Sequence, residues 1–366
     1  MDIFLKIFFM KGSFFMFTNA KKEKKMKPIT GTGLKIIAIV TMFIDHFGAI
    51  LYEAFRDHYV EASELLDPNS LEYAARQESI SIISLGYFVL RMIGRMGFPI
   101  FVFLLIEGFE HTRNVKKYAL NLLIFGIISE LPFNLGFNGT LFAPKYQNVF
   151  FTLFLGLLSL ITIRYLNEKF KGKKGLSFLF YFSLLLMCVL GGEFLFLECE
   201  VGYLLRILFG QIFINLGFEI KNPYTFSVVL GIGFAFILFI IMLIVSRKWD
   251  NDKKNAFFST VLPAASFALI AELLSTDYAG GGVIAIVIMY VCRKNRVKAA
   301  GLSVLFLSIY SILELFAFFV LFPIRRYNGE RGMKLNKYFF YAFYPAHIAA
   351  LYLVTILLRF KTFMMF

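Results

Sequence analysis

Charge is scarce in this chain. Only 17% of its 366 residues are charged and 59% are apolar, whereas a soluble domain is nearer about 45–50% apolar. The alternating segments of about ten residues that build a membrane β-barrel do not occur. No stretch rich in serine or proline marks a linker, and no internal repeat is visible. The three cysteines, Cys188, Cys199 and Cys292, are an odd number set in or beside apolar runs. They offer no disulfide framework and read as packing residues. The four histidines lack zinc-site spacing and form no HExxH pair, so no metal is expected. A GxSxG elbow and a Walker A loop are missing too, which argues against a serine hydrolase of that type and a P-loop nucleotidase.

What is present is long apolar sequence, with a mean hydropathy of +0.72. The apolar residues come in runs rather than in a stripe. A backbone exposed to lipid must satisfy its own hydrogen bonds, so the chain reads as all-α, a polytopic integral membrane helical bundle. Spans of about 20 residues fall at 34–54, 82–109, 118–137, 148–165, 176–197, 226–246, 256–275, 279–292, 299–322 and 338–360. Residues 201–219 are apolar but interrupted by Arg206, Gly210 and Gln211, and read as interfacial or re-entrant. This predicts about 10–11 transmembrane helices. The domain division is an N-terminal basic or interfacial extension over 1–28 and a single transmembrane domain over 29–366. Residues 1–20 suit an interfacial helix, or else Met26 is the true start.

The net charge of +14 points to nucleic acid in a soluble protein. Here the basic residues cluster between apolar runs, and the positive-inside rule accounts for most of them. No nucleic-acid partner is expected; membrane lipid is. Lys21 to Lys27 place the N-terminus inside. The acidic 55–80 loop reads as outside. "HTRNVKK", "NEKFKGKK", "SRKWDNDKK" and "RKNRVK" then fall inside, provided 201–219 does not cross. One loop breaks the pattern. Counting puts "RRYNGERGMK" (325–334) outside, so either a span has been missed or this loop serves something other than topology.

Within the first span, "LKIIAIVTMFIDHFGAILY" carries Asp45 beside His46. An acid in mid-membrane costs about 2.5–3.5 kcal/mol on insertion scales, and such residues face the bundle interior. Adjacent residues point about 100° apart on a helix, so the two cannot form a face-on pair. Asp45 shares its stripe with Thr41, Gly48 and Tyr52, a small polar face suited to close packing or a cavity. An imidazole can serve as general base near neutral pH; the plainer reading is a buried polar pair bonded to neighbouring helices. In "RMIGRMGFPIFVFLLIEGFEHTRN", Arg91 and Arg95 lie one turn apart, and Gly97 and Pro99 break the helix. Glu107 and His111 form an i, i+4 pair. The two arginines suit an anion, or one of them an acid elsewhere; the Glu107/His111 pair suits proton handling, or an interfacial helix end. Glu130 is buried just before Pro132. Glu272 and Asp277 sit at a membrane edge before three glycines, where another backbone or a ligand can approach. In "RRYNGERGMKLNKYFFYAFYPAHIAALY", a basic glycine loop that suits phosphates precedes a tyrosine-rich helix with His347, a packing or ligand residue.

Several of these stretches resemble the TraX family of conjugal-transfer membrane proteins. They are "ITGTGLKIIAIVTMFIDHFG", "RMGFPIFVFLLIEGFEHTRN", "KKYALNLLIFGIISELPFN", "NVFFTLFLGLL", "STDYAGGGVIAIVIMY" and "YNGERGMKLNKYFFYAFYPAHIAALYL", in family order across most of 29–355. The founding activity of that family is N-acetylation of a pilin subunit. The first two spans are more weakly similar to acyltransferase-3 membrane enzymes, which places His46 at the catalytic histidine. Glu107 departs from the serine usual there, Asn121 stands where a basic residue is expected in the family, and 166–255 matches neither resemblance. The resemblance implies an acetyl-CoA-dependent acyltransferase in the bacterial inner membrane, acting on a pilin-like peptide or a glycan. His46 would be general base or acyl carrier, and Asp45 would orient an imidazole or bind the acceptor. Arg91 or Arg95 would stabilise the oxyanion, with Glu107, His111 and His347 as further candidates. Arg113, Lys116, Arg325, Arg326 and Arg331 would hold the acetyl-CoA phosphates. A transporter and a non-catalytic scaffold of a conjugation or secretion apparatus are the alternatives.

Overall fold

The computed structural model describes residues 27–334 and 336–360; the candidate interfacial helix near the N-terminus lies outside them. The described residues form helices joined by short loops, with two isolated bridges and no strand. Helix α1 (Gly31–His46) is capped by the Thr30 side chain and runs through a π-helical turn, Phe47–Tyr52, into α2 (Glu53–Glu64). Next come α3 (Leu71–Gly94), α4 (Gly97–His111), α5 (Val115–Phe133), α6 (Val149–Phe170), α7 (Ser177–Glu193) and α8 (Glu200–Asn215). Helices α9 (Pro223–Ser246), α10 (Asn251–Leu273), α11 (Ala279–Val291) and α12 (Arg296–Tyr310) follow. A 3₁₀ segment, Ile312–Val320, leads to α13 (Leu321–Arg325), and α14 (Lys337–Leu357) closes the bundle. Eight helices among the described residues are long and apolar enough to cross a membrane, which makes the protein the expected polytopic helical bundle.

The loops sort into two ends. At one end Ile29 bridges Tyr327, Gly31 N–H donates to the Glu330 carbonyl, and Thr32 N–H donates to that of Arg331. Glu107 meets Arg296, and Glu110 meets Arg293 and Arg164. Asn255 donates to the Phe170 and Lys173 carbonyls. This basic end collects every loop read as positive. At the other end Gln147 bridges Thr276, Glu200 accepts from Ser311 and Ile312, and Phe360 packs on Phe55. The acidic loop after α2 lies at this end.

This arrangement accounts for the discordant loop. Residues 299–322 are not one span. Helix α12 ends at Tyr310, the chain turns at Ser311, and Ile312–Arg325 returns to the basic end beside Ile29. A span had been missed, and 325–334 joins the other basic loops. Helix α8 does not cross: Arg206 donates to the Ser227 hydroxyl at 2.9 Å and Phe213 packs on Phe226, so it folds back along the start of α9.

The main core joins α1, α4, α5, α6, α11, α12 and α14. Helices α7, α9 and α10 pack round a second cluster with Phe180, Leu184 and Met242. Glycines set the close approaches. A Cβ on Gly282 would strike Thr152 and Tyr278, and one on Gly280 the Ala268 carbonyl, so the three-glycine run seats α11 against α6 and α10. A Cβ on Gly94 would overlap the Asp45 carboxylate. Gly94→Ala is therefore expected to destabilise the detergent-purified protein by about 1–3 kcal/mol through overpacking, read as a lower thermal midpoint. Gly233→Ala, with nothing near its Cβ, should leave the midpoint unchanged or raise it, since alanine is the better helix former. Equal midpoints for the two variants would contradict this account of Gly94.

Candidate active site

Asp45 lies about 21 Å along α1 from Gly31 at 1.5 Å per residue, so it sits toward the acidic end. Arg91 Nη1 donates to its Oδ2 and Arg95 Nη2 to its Oδ1, each at 2.8 Å. Arg95 also donates through Nη1 to Glu314 Oε1 at 3.1 Å and through Nε to the Arg91 carbonyl at 3.2 Å. Arg95 thus engages all three of its nitrogens and bridges α1, the end of α3 and the 3₁₀ segment. Arg91 has donors to spare. A buried charge persists when it is paired and hydrogen-bonded, and this ladder is why Asp45 is tolerated where it is.

His46 turns the other way, as its place on α1 requires. Its ring lies edge to edge with that of His347 of α14, 4.9 Å between centroids and 8° between planes, with Nδ1 2.6 Å from His347 Nε2. His347 Nδ1 lies 2.6 Å from the Phe343 carbonyl. A carbonyl only accepts, so His347 Nδ1 carries a proton. With both rings neutral, His347 Nε2 is then the acceptor and His46 Nδ1 the donor. The basic nitrogen of His46 is Nε2. His46 is oriented by His347 rather than by Asp45. Phe137 and Tyr344 meet its ring edge-on.

The turn between α10 and α11 completes the cluster. The Thr152 hydroxyl donates to the Asp277 carbonyl and lies 3.0 Å from Thr276 Oγ1, which is free to donate to it, and Tyr146 OH donates to Asp277 Oδ1 at 3.3 Å. Ser275, Tyr278 and Ala279 all have positive φ (49°, 63° and 42°), a costly conformation for residues with a side chain. Stacking of Tyr278 on Phe98, 3.9 Å between centroids, helps to hold it. Burial pushes the Asp277 carboxyl from its usual value near 3.8 up to about 6, against the pull of Arg95 and Arg91 and with the Asp45 charge adding to the rise. The Asp277 charge, with burial, pushes the Tyr146 phenol up in turn.

The sign of the resulting pH dependence follows. A carboxyl raised on folding binds more protons in the folded state, so its contribution is present below pH 4 and is lost as pH rises to 6. The wild type is expected to lose up to about 1.4 kcal/mol per pH unit across that window relative to Asp277→Asn. Thermal unfolding of both proteins between pH 4 and 7 checks this; a flat difference would contradict it.

Seven residues suggested themselves as catalytic, and the fold divides them. Asp45, Arg91 and Arg95 form the ion-pair ladder, with His46 and His347 beside it. Glu107 and His111 lie at the basic end, away from them. The Glu107 carboxylate accepts from Tyr327 OH at 3.3 Å and meets Arg296 at 3.9 Å, while the His111 ring bonds the Glu107 carbonyl at 2.8 Å. The basic end also carries Arg113, Lys116, Arg325 and Arg331, all exposed, and the half-buried Arg326. A cavity of about 670 Å³ there is lined by His111, Arg293, Lys294, Arg296, Arg325 and Tyr327 among others. Sequence reasoning missed Glu314, Tyr146 and Tyr278. Glu314 had a signal, a lone acid inside an apolar run, the same rule that singled out Asp45.

A family model described as "TraX protein" matches residues 30–238 and 224–355, and so runs through the stretch 166–255. A "Probable fimbrial assembly protein FimC, serogroup H1" from Dichelobacter nodosus is 33% identical over 136 residues, 35% of this chain and 44% of that protein. This chain therefore matches under half the length of that curated relative. No solved structure matches it. With the matched segments covering nearly all of the described helices, the chain belongs to the TraX family.

Proposed function

We propose that this protein is a membrane acyltransferase that moves an acetyl group from acetyl-CoA to an amine or hydroxyl of a pilin-like peptide or other cell-envelope acceptor. The observation that carries the reading is the His46–His347 pair, which fixes a buried imidazole tautomer with Nε2 as its base. The family and the fimbrial-assembly name of the relative support a role in pilus biogenesis. In the proposed reaction, His46 Nε2 takes the acceptor's proton as its nitrogen or oxygen bonds to the thioester carbon. The carbonyl oxygen gains negative charge, and Arg91, which has donors to spare, stabilises it; Arg95 holds the ladder in place. The C–S bond then breaks, and the thiolate leaves with the proton held by His46. The charge distribution of the loops, by the positive-inside rule, supports a bacterial inner-membrane protein with its basic end and N-terminus on the cytoplasmic side. Acetyl-CoA approaches there, and Arg113, Lys116, Arg325, Arg326 and Arg331 attract its phosphates.

The test is turnover of labelled acetyl-CoA by the detergent-purified protein with a panel of peptide and sugar acceptors, beside His46→Ala checked for folding by gel filtration. Acyl transfer that vanishes in the variant is the expected result. Transfer that survives in it would move the base elsewhere. If neither protein bound acyl-CoA, a transporter or a scaffold would replace the enzyme.

A further inference from the structure

At the acidic end a second cavity, of about 350 Å³, opens between the α10–α11 turn and the turn at Ser311. Its charged lining is Glu272, Asp277 and Glu314 against Arg95 and Lys145. Asp45 already faces Arg95 from behind, so the cavity itself is left acidic. Glu314 is the decisive residue. It is only 2% exposed, its Oε1 holds Arg95, and its buried Oε2 has no hydrogen-bond partner among the described residues. A buried carboxylate oxygen without a donor is costly, and such an atom in a native structure needs an explanation. Tyr278 and Tyr310 also line the cavity.

We propose that this cavity is the acceptor site of the transferase and that it receives a primary ammonium group entering from the acidic end. The inference rests on the acyltransferase reading above and adds to it a site, a side and a chemical class. An ammonium carries three donors and a full charge, enough to satisfy Glu314 Oε2 and Asp277 together; before transfer it passes one proton to one of these carboxylates, and the free amine so formed attacks while His46 takes the second proton. An alcohol of the same length has one donor and no charge, and meets neither demand. The cavity wall adjoins the catalytic cluster, because Arg95 in it bonds Asp45, the neighbour of His46. Tyr146, also in the wall, packs on Phe137, which meets the His46 ring. Donor and acceptor then approach from opposite ends of the bundle.

The experiment uses the full-length protein in detergent with no acyl donor, and compares butylamine with 1-butanol as probes. Butylamine is expected to raise the thermal midpoint saturably, and 1-butanol to leave it flat at equal concentration. Glu314→Gln should weaken the butylamine effect at least tenfold. Asp277→Asn, which leaves the Arg95–Glu314 pair intact, should weaken it several-fold and decides the matter if the first variant does not fold. Equal shifts for amine and alcohol, or an undiminished shift in the variant that folds, would overturn the site. The side is read separately with Ser275→Cys in intact cells, against the unsubstituted chain. Labelling by a membrane-impermeant maleimide, blocked by butylamine, is expected; labelling only after permeabilisation would overturn entry from the acidic end. Butylamine binding without acetyl transfer to any acceptor would sink the transferase and keep the site. His46-dependent transfer without amine selectivity would do the reverse.

Discussion

Replacing Arg95 with alanine is expected to destabilise the protein by about 3–5 kcal/mol, the cost of removing one partner from a buried ion pair. Asp45 would keep Arg91, but Glu314 would lose its ion-pair partner while 2% exposed. The double variant Arg95→Ala/Glu314→Gln should recover part of the loss, because the stranded charge is gone. Arg91→Ala should cost less, since Arg91 makes one ion pair and is more exposed than Arg95. Arg95→Lys should not restore the wild-type value, because an ammonium cannot span two carboxylates as a planar guanidinium does. Thermal midpoints and the yield of monodisperse protein in detergent measure all four. An Arg95→Ala variant within about 0.5 kcal/mol of wild type, the range of ordinary surface substitutions, would show that the ladder does not hold the bundle together.

The second large effect concerns the imidazole pair. Loss of His46 should lower acetyl turnover by about 10²–10⁴, the range of general-base catalysis. His347→Ala should reduce it by about tenfold or more without touching the base itself. Its part is to accept the His46 Nδ1 proton and so present Nε2, and the identity of the protonated ring nitrogen depends on the bond the other one makes. His347→Gln offers an amide oxygen as acceptor and is expected to return part of the activity. The loss should fall on kcat with KM unchanged, since nothing that binds substrate has been removed. A change confined to KM, or a glutamine variant no better than alanine, would show that His347 only packs.

Much of the architecture was readable before any coordinates. Runs of apolar residues long enough to span hydrocarbon force helices, because the backbone has no other partner there. The basic loops gave the ends, and the one loop that disagreed was itself a signal of a missed turn. That turn at Ser311 was hard to read because Ile312–Val320 is as apolar as the helix before it. Hydropathy measures how far a segment avoids water, not where it reverses. The site was half readable. Asp45, His46, Arg91, Arg95 and His347 stand out as polar residues in costly places, and the fold sorts them into two neighbouring groups, the Asp45–Arg91–Arg95 ladder and the His46–His347 pair. Glu107 and His111 stand out by the same rule but belong to the basic end. Spacing along one helix does not say which neighbour each carboxylate will find: Glu107 found Arg296 and Tyr327, from elements far off in sequence.

The sequence by itself determined that this protein is a helical membrane bundle, that most of its basic loops share an end, and that Asp45 and His46 must seek separate partners about 100° apart. Those follow from composition and helix period, which are local. Only the tertiary structure decided the partners: two arginines and through them Glu314 for the acid, and a histidine some three hundred residues away for the imidazole. It also decided that Asp277, Tyr146 and Tyr278 gather round an acidic cavity. These are long-range choices, set by where glycines such as Gly94 let helices touch, and no period along one helix encodes them.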